Sequence, residues 1–71
     1  MKLPRDVSGA EAARVLQKLG FVRKRQTGSH LILAKEARTV VVPQHKPLKP
    51  GTLKGILEQA GISLETFVDQ L

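Results

Sequence analysis

The chain has no cysteine, no tryptophan and no tyrosine in 71 residues, and two phenylalanines are its only aromatic side chains. Without cysteine there are no disulfides and no thiolate metal ligands, which suits a reducing compartment. With so few aromatics the core must be mainly aliphatic, and the stacking platform typical of single-strand binders is missing. No apolar run approaches the roughly 18 residues of a membrane span, and the N-terminus lacks the apolar stretch of a signal peptide. These absences predict a soluble cytoplasmic protein with no membrane partner. Gly51-Thr52 followed by Lys54 lacks the Gly-x-x-x-x-Gly-Lys-Ser/Thr spacing of a phosphate-binding P-loop. There is no Ser/His/Asp arrangement and no close carboxylate pair. His30 and His45, far apart in sequence and without a nearby carboxylate, make a poor metal site. No metal or other cofactor is expected.

What is present is positive charge. Twelve Lys and Arg against six Asp and Glu leave a net charge of +6. Polyanions are the obvious partners: nucleic acid, an acidic protein or an anionic membrane. The basic residues are spread over strand-like and loop segments rather than along one helix, which argues against the membrane; charge can also serve solubility alone. A hydrophobic share of 41% is that of a globular protein, not of a disordered tail. The length accommodates one domain, residues 1–71, whose core must be well patterned because so short a chain buries only about 60% of its unfolded surface.

The elements are legible in order. Ser8 with Glu11 forms a capping box, and Ala12, Val15, Leu16 and Leu19 then recur at i, i+3, i+4, i+7 until Gly20, which predicts a helix over 9–19. Residues 21–26 have no helical stripe and are dense in basic side chains. Thr27-Gly28 reads as a turn, 29–34 as a second strand, Lys35-Glu36-Ala37 as a polar break, and 39–42 as a β-branched third strand stopped by Pro43. Period-two alternation puts Leu31 and Leu33 on one face, His30 and Ile32 on the other. Pro43, Pro47 and Pro50 punctuate a loop; Leu53, Ile56, Leu57 and Ala60 mark a second helix closed by Gly61. Ser63 caps a short third helix with the stripe Leu64, Phe67, Val68, Leu71. The expected fold is α+β: a three-stranded antiparallel sheet in the order α-β-β-β-α plus a short C-terminal helix. Helices cover one face, and part of the basic run Arg23-Lys24-Arg25 joins His30 on the open one.

His30, just after a turn in Thr27-Gly28-Ser29-His30, offers an imidazole that can move protons to and from a ribose hydroxyl or a leaving oxygen. By itself it reads more readily as a surface histidine on a solvated strand. His45, between Gln44 and Lys46, is a second proton carrier, a phosphate ligand or an exposed loop residue. Lys46, Lys49 and Lys54 surround the start of the second helix, a place that suits phosphate.

Leu19-Gly20-Phe21, Arg25-Gln26-Thr27-Gly28-Ser29-His30, Val42-Pro43 and Gly51-Thr52-Leu53 lie in order along the chain. Ile56-Leu57, Gln59-Ala60-Gly61 and Ile62-Ser63-Leu64-Glu65-Thr66-Phe67 complete the set. Together they resemble the HicA-type toxins, small messenger-RNA-cleaving members of toxin–antitoxin pairs, and the resemblance spans almost the whole chain. It implies a fold like that of double-stranded-RNA-binding domains and a ribonuclease whose essential residue is the histidine of Gly-Ser-His, here His30. It also implies a cognate HicB-type antitoxin that covers the active site. Many relatives have His-Pro-Asp-Gly before the third strand, where this chain has Ala34-Lys35-Glu36-Ala37, so the hairpin type departs from the pattern.

The combined expectation is metal-independent cleavage of messenger RNA with His30 as general acid or base. Gly28 and Ser29 would position it, and Lys24, Arg25, Lys46, Lys49 and Lys54, with Ser29, would bind the RNA. His45 is a candidate second proton shuttle. The rival readings are a non-catalytic double-stranded-RNA-binding module and a protein-interaction domain whose basic face meets an acidic partner.

Overall fold

A computed structural model describes Pro4 and residues 6–71. Helix α1 spans Gly9–Lys18 and starts as its capping box requires: the Glu11 amide donates to Ser8 Oγ at 3.1 Å and the Ser8 amide to Glu11 Oε1 at 3.2 Å. Gly20, at φ +101°, turns the chain out of the helix into the sheet. Strands β1 (Val22–Thr27), β2 (His30–Lys35) and β3 (Arg38–Pro43) form an antiparallel meander in the order β1-β2-β3. Helix α2 (Pro50–Ala60) has Pro50 in its first turn and closes on Gly61 at φ +69°. Helix α3 (Leu64–Asp69) is capped by Ser63, whose Oγ accepts from the Thr66 amide.

The α+β order expected from the sequence is the order observed. Differences are at the boundaries. The first hairpin turn is Gly28-Ser29, with Thr27 still paired to His30. Lys35 belongs to β2, and Leu71 lies beyond α3 and is exposed.

One face of the sheet carries the core. Leu31, Leu33, Val40 and Val42 are buried against Ala12, Val15 and Leu16 of α1 and Leu53, Ile56 and Leu57 of α2, with Phe21 and Phe67 buried among them. The other face is uncovered: Val22 is 57% and Val41 38% exposed, and Ile32 and Ala34 are half-buried. The outer edge of β3 is partly closed, because Gln59 Oε1 of α2 accepts from the Val41 amide at 3.2 Å. The edge of β1 is exposed throughout, and its charges and a bulge discourage further strand pairing.

Three antiparallel strands with short connections admit the chain at one end of the sheet and release it at the other. Helices α1 and α2 therefore run the same way. Both begin at the end where β2 starts with His30, and both finish at the end where β2 turns into β3. The finishing end is neutralised by basic side chains. Lys35 Nζ donates to the Leu19 carbonyl at 2.7 Å and Arg38 to the Gln59 carbonyl at 3.3 Å, each filling a helix C-terminus; Lys18 does the same for Gln70 after α3.

Gly9 locks the starting end. Its amide donates to the His45 carbonyl at 2.9 Å, and a Cβ there would fall inside contact distance of the Pro43 carbonyl oxygen. Alanine is the better helix former by about 1 kcal/mol. The clash is with backbone that cannot rotate away, and overpacking of that kind costs about 1–3 kcal/mol. Gly9→Ala should therefore lower the urea-unfolding free energy, by up to about 2 kcal/mol, against the direction helix propensity alone predicts.

Candidate functional site

His30 is the first residue of β2 and is exposed. Directly opposed residues of an antiparallel ladder share a face, so the register defines rows on the uncovered side. Thr27, His30 and Pro43 form the first row, Arg25, Ile32 and Val41 the second, and Val22, Ala34 and Thr39 the third. His30 thus stands at the end of an apolar sheet face, with Arg25 diagonally across on the neighbouring strand. Diagonal neighbours are about 7–8 Å apart, within reach of a long guanidinium side chain.

Arg25 is on this face because of a bulge. The register slips between Arg23 and Arg25, leaving Lys24 as the extra residue. Arg23, opposite Leu33, lies on the helix-covered side; simple alternation would have put Arg25 there as well. Of the basic triplet, the bulge delivers Arg25 to the row next to His30 and leaves Lys24 unpaired on the edge.

The turn carrying His30 is tied down on both sides. Gly28 takes φ +59°, the left-handed region that costs other residues about 1–2 kcal/mol. Gln26 Nε2 donates to the Gly28 carbonyl at 3.1 Å while Gln26 Oε1 accepts from Arg23 at 3.2 Å. On the other side the Gln44 amide donates to the Ser29 carbonyl at 2.6 Å, extending the β2–β3 ladder by one bond. Ser29 therefore contributes its backbone to the turn, and Gln44 brings the loop of His45 alongside. The sequence motif contains Gln26, but its role in bracing the turn shows only once the hairpin closes.

The loop from Gln44 to Lys49 is anchored at three points: Gln44 to Ser29, His45 to Gly9, and the Leu48 amide to the Val7 carbonyl at 2.7 Å. Between this loop and the start of α2 lies a cavity of about 350 Å³ lined by Pro43, His45, Pro47, Leu48, Lys49 and Thr52. Pro43 is also the cross-strand partner of His30, so cavity and imidazole share a wall. Lys46 is exposed on the same loop. Lys54 is not part of this group: it is exposed on α2, roughly 140° round the helix axis from Lys49.

Lys49 occupies the N-cap of α2, with no side-chain cap and no acidic residue in the first turn. Ser, Thr, Asp or Asn is preferred there, and a cation is unfavourable at the positive end of a helix. The carboxylates near this end are Asp6 and Glu11, and Glu11 is engaged in the box that caps α1. The His30 end of the domain thus combines Arg25, Lys46 and Lys49 with the starts of two helices.

A family model described as the HicA toxin of bacterial toxin–antitoxin systems matches residues 9–62. Among solved structures, a chain from a toxin–antitoxin complex of Streptococcus pneumoniae is similar, with 28% identity and a TM-score of 0.69. The match covers 78% of this chain and 97% of that one. A comparison with curated proteins returns no match.

Proposed function

The chain belongs to the HicA toxin family of bacterial toxin–antitoxin systems, and on that footing we propose that it is a ribonuclease that cuts messenger RNA without a metal, using His30. The observation that carries the reading is the seat of His30: an exposed imidazole on the uncovered sheet face, held by a braced turn, with Arg25 in the adjacent row and Lys49 across Pro43.

RNA carries its own nucleophile. The ribose 2′-oxygen bonds to the adjacent phosphorus as the bond to the 5′-oxygen of the next nucleotide breaks, leaving a cyclic phosphate and a 5′-hydroxyl. Neutral His30 accepts the 2′-hydroxyl proton, or its imidazolium donates to the departing 5′-oxygen. Arg25, with Lys24, Lys46 and Lys49, holds the phosphate and offsets the charge that builds on its oxygens. Gly28 and Ser29 fix the imidazole through the turn. The complementary proton step needs a further group at this end, for which His45, Lys46 and Lys49 are the candidates.

The partner is a HicB-type antitoxin. The apolar residues Ile32 and Val41 in the row next to His30, and Val22 and Ala34 in the row beyond, continue the face on which the imidazole stands, so a protein that covers this face also blocks access to it. The site of action is the cytoplasm, where messenger RNA is translated; among the described residues no helix is long and apolar enough to cross a membrane. A second reading has one observation in its favour. Lys49 stands at the start of α2 and Lys54 one turn further on a different side, so two lysines of one helix are free to meet phosphates on separate parts of a duplex. A module of that kind binds duplex without turnover.

Incubation with labelled single-stranded RNA in EDTA separates the two. The wild type should yield fragments, and His30→Ala should cleave at least about 100-fold more slowly. Because His30 is exposed, its unfolding free energy should stay within about 0.5 kcal/mol of the wild type. Duplex affinity with no fragments from either protein would support the binding module.

Lys49→Asp provides an independent check. Restoring a preferred cap should stabilise the fold by about 1 kcal/mol. It should also weaken RNA binding and reduce the slope of log affinity against log salt by about 0.7, one phosphate contact's worth. A stability gain with the salt slope unchanged would remove Lys49 from the interface.

A further inference from the structure

Phe21 and Phe67 are the chain's two aromatic residues and both are buried, so the surface offers no Phe, Tyr or Trp ring on which a base could stack. The planar groups left at the surface are the two imidazoles and the guanidinium groups. His30 and Arg25 lie on the open sheet face; His45 does not. It lines the cavity of about 350 Å³ beside that face, together with Pro43, Pro47, Leu48, Lys49 and Thr52.

This set has the two halves that single-stranded RNA requires. A planar ring in a lining that also holds two prolines suits the face of a base, and a lysine and a threonine in the same lining can donate to phosphate and sugar oxygens. The volume lies within the range of small-molecule sites. Its position is set by three anchors already described. The cross-strand pairing of Pro43 with His30 makes the two sites neighbours, the Ser29–Gln44 bond fixes the start of the loop, and the bond between Gly9 and the His45 carbonyl fixes the backbone that carries the imidazole.

We infer that this cavity is a nucleotide subsite for single-stranded RNA, in which the base adjoining the scissile phosphate stacks on His45 while Lys49 and Thr52 hold its sugar–phosphate. The inference rests on the reading of the protein as one that acts on RNA. It gives His45 a binding role in place of proton transfer.

The test uses His30→Ala protein as the parent, so that binding is read without cleavage. The probes are a short fluorescent single-stranded oligoribonucleotide of mixed sequence and the same strand made abasic at every position. Adding His45→Ala should weaken binding of the mixed-sequence strand by about tenfold, the order expected for one base–aromatic stack. His45→Phe, which keeps a ring but cannot carry a proton, should recover most of that loss. On the abasic strand the three proteins should bind alike. Equal affinity of the parent and its His45→Ala variant for the mixed-sequence strand would overturn the subsite, as would an equal loss on the abasic strand. With RNA still bound in either case, the ribonuclease reading stands. If neither strand binds to any of the proteins, both readings fall together.

Discussion

An odd number of strands fixes the polarity of this molecule. A chain that crosses an antiparallel sheet three times enters at one end and leaves at the other, so the helices before and after it must lie parallel. Their partial positive ends then gather where β2 begins and their partial negative ends where β2 meets β3. Nothing in the side chains is needed to create this asymmetry. The side chains elaborate it, and they do so differently at the two ends.

At the negative end Lys35 and Arg38, a cross-strand pair, each donate to the last carbonyls of a helix, and Lys18 serves the short third helix. Three cations of a basic chain are thereby committed to structure. At the positive end α1 is capped by Ser8 and Glu11 as stability would dictate, but α2 is not. Its N-cap is Lys49, its first turn has no acid, and Arg25 and Lys46 stand nearby. The same charge that stabilises one end opposes the helices at the other. A local rule broken at one place in an otherwise consistent fold is where function is expected.

The elements and their order were legible because short-range chemistry decides them. The Ser8–Glu11 box, the i, i+3, i+4, i+7 stripes, the alternation of Leu31 and Leu33 with His30 and Ile32, and Gly61 closing α2 each depend on residues within one or two turns of each other. The functional geometry was less legible because it depends on pairing. Arg25 reaches the face of His30 through a bulge at Lys24, and a bulge is a property of two strands, not of one. The grouping of His45, Thr52, Pro43 and Lys49 around one cavity follows from the bonds of Gln44 to Ser29 and Gly9 to His45, which join segments far apart in sequence. Lys54 shows the converse: it is close to Lys49 in sequence, yet the helix turns it away.

The covered and uncovered faces of the sheet also divide the labour of the sequence. The buried apolar residues that hold the fold lie between the sheet and its helices, while His30, Arg25 and the cavity loop lie outside that core. Side chains at the site can therefore change with little effect on packing, since exposed positions away from caps and turns usually contribute little to stability. Backbone at the site cannot. Gly28 must take a left-handed conformation to start β2 in register, and Gly9 must lack a side chain for the loop to lie against α1. A glycine substitution would disturb folding and site together, whereas a substitution of exposed His30 leaves the packing in place.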